Sequence, residues 1–158
     1  MKILLCGMGN RDHGDDAFGP YVVEQIKETD SIKKIDCNLY PENYLNKIIS
    51  YNPDLVIFFD TIQKQGSKSV LLRDDELQLH NPISVSTHNL PFSSIYYYLK
   101  ENSHANIWFL GVRPISYTHL TEEIISSAKR VIDAFDSLDN EHEINIIELY
   151  ETLSTALR

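Results

Sequence analysis

Acidic and imidazole side chains stand directly after apolar runs at well-separated places in this chain. Asp12, His13, Asp15 and Asp16 follow the run that opens the sequence, Asp60 closes Leu-Val-Ile-Phe-Phe, and His88 follows Ile-Ser-Val-Ser-Thr. Asp16, Asp60 and His88 together offer two carboxylates and one imidazole, a mixed hard and borderline ligand set suited to nickel, zinc or manganese. Three protein ligands leave positions open for water or a substrate group, as a catalytic metal site requires. The carboxylates could equally act as general bases, or as a dyad sharing one proton. Structural readings stand beside these. Asp15 or Asp16 can cap the following helix and steady it by about 1 kcal/mol. Asp60 can accept loop amides, and His88 precedes Asn89 and Pro91, a helix-start pattern. His13 could be a fourth ligand, although an exposed surface position is the simpler reading.

Other chemistries fit the residues less well. Gly7-Met8-Gly9 begins like a dinucleotide fingerprint, but the third glycine is replaced by Asp12. Carboxylates at a helix N-terminus would also repel the phosphate that such a loop is built to hold. No Gly-Lys-Ser/Thr is present, which excludes a Walker-type loop. A thiol nucleophile would have to pair Cys37 with His88, yet Asp36 beside Cys37 disfavours the thiolate.

The elements that must position these side chains are apolar runs alternating with helical patterns. Strands are expected at 2–6, 34–39 and 55–59, an edge strand at Ser69–Leu72, and further strands at 83–86 and 107–112. Helices are expected at 16–27 and 41–51, near Asn89 onward, at 121–138 and at 144–157, where apolar residues recur at i, i+3 and i+4. The continuous run at 55–59 suits a strand covered on both faces, as in a parallel sheet. The order implies an α/β fold with right-handed crossovers, a three-layer αβα sandwich around a mostly parallel sheet of about five strands. Ligands in such sheets sit beyond the carboxyl ends of the strands, where the acidic residues and His88 fall. Within the aromatic triplet Tyr96-Tyr97-Tyr98, one or two rings are expected in the core and one toward a groove or partner.

The length of 158 residues predicts one domain spanning 1–158. Charged residues make up 23% and hydrophobic residues 42%, as in ordinary globular chains. A net charge of −9 disfavours nucleic acid and anionic membrane surfaces. The apolar start is cut short by Gly7 and Gly9, so it reads as a strand rather than a secretory leader. No stretch approaches the roughly 20 apolar residues of a membrane span. With Cys6 and Cys37 as its cysteines, the chain suits the reducing cytoplasm.

Ordered sequence blocks then converge on one family. Leu-Cys-Gly-Met-Gly-Asn-Arg-Asp-His-Gly-Asp-Asp-Ala-Phe-Gly-Pro at positions 5 to 20 resembles the N-terminal signature of the [NiFe]-hydrogenase maturation proteases. Pro41-Glu42-Asn43, Phe59-Asp60-Thr61, Ser86-Thr87-His88-Asn89-Leu90-Pro91 and Phe109-Leu110-Gly111-Val112-Arg113-Pro114 agree in order. The resemblance implies an endopeptidase that removes a C-terminal extension from a hydrogenase large-subunit precursor after nickel insertion. It further implies metal contact through Asp16, Asp60 and His88, the nickel being that of the substrate rather than a tightly held cofactor. A chaperone that checks nickel loading without cutting is one alternative, and a nucleotide-binding α/β protein is the other. Two departures stand out. The family's Asp-Gly-Gly after the second strand is Asp36-Cys37-Asn38 here, and the glycine after the acidic pair is Ala17. Of these replacements Asn38 best tolerates positive φ.

Overall fold

A computed structural model describes residues 1–63, 66–79 and 91–158, with only the backbone of Leu79. The first strand, β1 (Ile3–Met8), is buried along its whole length. Parallel neighbours flank it on both sides, β2 (Ile32–Asn38) and β3 (Leu55–Thr61). β5 (Asn106–Val112) continues the parallel sheet beside β3, and the short β4 (Ser69–Leu72) closes the edge antiparallel to β5. The order among the described residues is therefore β2-β1-β3-β5-β4.

Strand alternation sorts the core into two faces, because successive side chains point to opposite sides. Ile3, Leu5, Leu55, Ile57, Phe59, Trp108 and Leu110 face one side, beneath α1 (Phe18–Gln25), α5 (Glu122–Asp136) and α6 (Ile146–Ala156). Leu4, Cys6, Val56, Phe58, Ile107 and Phe109 face the other, beneath α2 (Leu45–Tyr51) and α4 (Phe92–Asn102). The third layer is thus real, and the expected αβα sandwich is the fold observed. Tyr96 is buried and donates its hydroxyl to Asp74 Oδ1, whereas Tyr97 and Tyr98 are exposed.

The boundaries differ from the sequence reading in instructive ways. β1 runs on through Gly7, which stays paired to both β2 and β3, and Met8, which stays paired to β2. The helix expected at 16–27 opens as a 3-10 turn at Gly14–Ala17 and ends at Gln25. The helix expected at 41–51 likewise divides into a 3-10 turn, Pro41–Tyr44, and α2. A short helix, α3 (Asp74–Leu79), has no counterpart in the expectation. Tertiary bonds hold it: Asp74 accepts from the Ile107 amide at 2.6 Å and the Tyr96 hydroxyl at 2.9 Å. The strand expected at 83–86 and the helix start at Asn89 lie outside the described residues.

The chain leaves β1 toward β2 on one side and returns to β3 on the other. The carboxyl ends of β1 and β3 therefore border a topological switch point, the usual ligand crevice of such sheets.

Candidate active site

Asp16 and Asp60 both stand at this crevice. Asp60 is the sixth residue of β3 and is buried. Asp16 lies in the 3-10 turn that joins the first loop to α1 and is buried as well. A single residue connects them. The Thr61 hydroxyl donates to Asp16 Oδ1 at 2.9 Å, and the Thr61 amide donates to Asp60 Oδ1 at 2.7 Å. The second oxygen of Asp16 accepts from the Asn10 amide at 2.8 Å, so the first loop wraps around this carboxylate.

Gly9 makes that wrap possible. Its φ of +137° is one that side-chain-bearing residues rarely adopt, and a Cβ there would stand 2.0 Å from the Asp16 carbonyl oxygen. Here the glycines that resemble a nucleotide fingerprint serve to bring backbone against backbone. The Gly9 amide also donates to Asn38 O at 2.9 Å, tying the first loop to the end of β2. Asn38 takes a φ of +49°, so the residue replacing the family's glycine keeps the left-handed backbone. Arg11 secures the same junction, bonding Asp36 Oδ2 at 2.6 and 3.0 Å and Glu24 at 2.7 Å.

Asp15, next to Asp16 in sequence, has a different task. Its carboxylate accepts from the amides of Ile115 at 2.8 Å, Ser116 at 3.0 Å and Thr121 at 2.7 Å, and from the Thr121 hydroxyl at 3.0 Å. Burial by itself would raise this carboxyl's pKa. The amides of Thr121, Ser116 and Ile115 outweigh it, and the group is held below its ordinary value of 3.8. Neither Asp15 nor Asp16 caps α1 or the turn before it, since neither helix start shows a side-chain cap bond. The capping reading is therefore replaced by a cross-link of about 100 residues' separation, from the first loop to the loop after β5.

His13 is exposed. Cys37 is fully buried, and it sits in the core beside Cys6, whose thiol is pushed well above its ordinary range by burial and by the bond to Cys37. A side chain so placed cannot attack a peptide, which removes the thiol reading. His88 lies outside the described residues. Among the described residues no three His, Cys, Asp or Glu side chains form a metal-holding group. Thr61 and Thr121 are the site residues that sequence reasoning passed over, and Asp15 was read only as a helix cap. Thr61 adjoins Asp60 in a quoted block, but nothing local marks Thr121 as a partner of the first loop.

The model of the HycI family, described as hydrogenase maturation protease, matches residues 20–137. The chain belongs to the hydrogenase maturation proteases. The match contains Asp60 and begins four residues after Asp16. The crystal structure of a [NiFe] hydrogenase maturation protease HycI from Thermococcus kodakarensis is similar at 31% identity, covering 97% of this chain and 92% of that one, with a TM-score of 0.72. A Methanocaldococcus jannaschii protein assigned to the hydrogenase maturation proteases is 29% identical over 169 residues, covering 98% of this chain and 92% of its own length. The solution structure of the Escherichia coli endopeptidase HycI shares the fold, with 24% identity, a TM-score of 0.70 and coverage of 90% and 100%. This chain is accordingly a maturation protease. No described helix is long and apolar enough to cross a membrane.

Proposed function

We propose that this endopeptidase removes the C-terminal extension of a [NiFe]-hydrogenase large-subunit precursor, working at Asp16 and Asp60 with His88 and recognising the nickel that the precursor carries. The observation that supports this most is the Thr61 bridge. Two buried carboxylates held by one residue concentrate acceptor oxygens at the crevice, a setting that a bound cation would complement. Carboxylate oxygens with an imidazole make a donor set that fits a borderline divalent ion such as nickel. A third ligand beyond the described carboxylates comes from His88 or from the precursor itself.

In this reading the bound nickel belongs to the substrate and supplies positive charge and a fixed anchor for the precursor. The chain's own groups do the rest. Thr61 and the Asn10 amide hold Asp16 in one orientation, so no reorganisation is needed when the peptide arrives. One carboxylate of the pair takes the proton of the attacking water as the scissile carbonyl is approached, and returns it to the peptide nitrogen as the C–N bond breaks and the amine leaves. Holding the precursor by its nickel fixes the peptide beside these groups, and proximity contributes to the rate. The free thiols of Cys6 and Cys37 support a reducing, cytoplasmic setting.

Intact-mass spectrometry of nickel-loaded precursor mixed with the protein tests the proposal. Release of a C-terminal peptide is expected, with none released by His88→Ala although that variant folds. A precursor that binds but keeps its full mass would instead identify a non-cleaving chaperone.

A further inference from the structure

The loop between β5 and α5 is fastened to the candidate site at three independent points. Asp15 holds the amides of Ile115, Ser116 and Thr121, and its own amide donates to Ser116 O at 2.8 Å. Gly14, with φ +56°, packs so closely under the loop that a Cβ would stand 2.6 Å from Ser116 O. On the other side Gln63 Nε2 donates to the Tyr117 hydroxyl at 3.1 Å, and Gln63 follows Asp60 by three residues. The loop is thus tied both to the neighbour of Asp16 and to the segment leaving Asp60. It forms a fixed rim beside both carboxylates.

On this rigid mount the chain displays apolar side chains to solvent. Ile115 is 62% exposed and Tyr117 is 48% exposed. Their burial would be favourable, and a prefixed backbone loses little entropy when a partner covers it. An endopeptidase must lay an extended polypeptide across its reacting groups, and the loop carrying these side chains is bonded to the residue beside Asp16 and to the segment leaving Asp60. We infer that Ile115 and Tyr117 are specificity-determining residues that receive an apolar side chain of the polypeptide substrate close to the cleaved bond. This rests on the reading that Asp16 and Asp60 are the site of cleavage. The rim binds by apolar contact with the substrate chain, a recognition separate from any metal contact.

The test is steady-state cleavage of nickel-loaded precursor by the wild-type protein and by Ile115→Ser/Tyr117→Ser. The expected result is a KM raised by about 10- to 30-fold, the loss falling in KM rather than kcat. Ile115→Leu/Tyr117→Phe, which keeps the apolar surface and gives up the Gln63 bond, is expected to restore KM to within about threefold of wild type. Circular dichroism and melting temperature establish that the serine variant is folded. An unchanged KM overturns the inference, as does a fall in kcat alone. Sedimentation in which the serine substitutions abolish a homodimer while KM stays constant also overturns it, by assigning the patch to a second copy. Direct titration of the precursor onto each protein separates this inference from the cleavage reading. If no protein cleaves the precursor but the serine variant still binds it 10- to 30-fold more weakly, the rim stands and the cleavage site falls.

Discussion

Asp15 and Asp16 are neighbours in sequence and both buried, yet their carboxylates bond entirely different partners. On the β5 side, Asp15 gathers backbone amides and a hydroxyl from a loop about 100 residues away, and its donors match a carboxylate's acceptor capacity closely. On the β3 side, Asp16 accepts one amide and one hydroxyl and shares Thr61 with a second acid. Burial alone does not distinguish these two carboxylates. The number of donors around each, and the presence of another acid nearby, do.

That contrast can be broken by substitution. Asp16→Asn is expected to lower precursor cleavage by about 10²- to 10⁴-fold, with the melting temperature changed by no more than a few degrees, as read by mass spectrometry and thermal melts. Asp15→Ala should show the reverse emphasis. Leaving three buried amides without an acceptor is expected to cost about 2–4 kcal/mol, which for a chain of this size lowers the melting temperature by roughly 5–15 °C. Thr61→Val tests the bridge itself: activity should fall by about 10- to 100-fold, since the remaining amide still serves Asp60 but Asp16 loses its charge-assisted bond.

The pH dependence sharpens the same division. Asp15's folded pKa lies below its ordinary 3.8, so its contribution is present above that value and is lost as pH falls through the lower, folded value. Denaturant titrations between about pH 2 and 6 should show an acid-side loss of stability that Asp15→Asn flattens. The smallest effect belongs to Arg11→Ala. The guanidinium that ties the first loop to Asp36 and Glu24 is partly exposed, and its removal is expected to change stability by less than about 1 kcal/mol in a melt.

Much of this architecture could be read from residue patterns, and what escaped has a physical cause. The buried runs of β1, β3 and β5 announce themselves, because a strand covered on both faces must be apolar throughout. α3 is six residues long and opens with Asp-Asp-Glu, too short for periodicity, and it exists because Asp74 meets Ile107, Tyr96 and Lys100. Gly7 and Met8 read as a turn yet extend β1, since close packing there calls for glycine while the ladder continues. Within the site, Asp60 was legible as a carboxylate at a strand end and Asp16 as one in the loop that follows β1. The division of labour between Asp15 and Asp16 was not, because the donors that define it lie far along the chain. The Asn38 substitution was legible in kind, since asparagine is the residue that best keeps a glycine's left-handed conformation.

The most direct measurement compares nickel-loaded and metal-free precursor, each incubated with the wild-type protein and weighed intact over time. The account predicts loss of a C-terminal peptide from the nickel-loaded precursor and none from the metal-free one. Equal cleavage of the metal-free precursor would contradict it, and would leave Asp16 and Asp60 as a proton-sharing pair that acts without the metal.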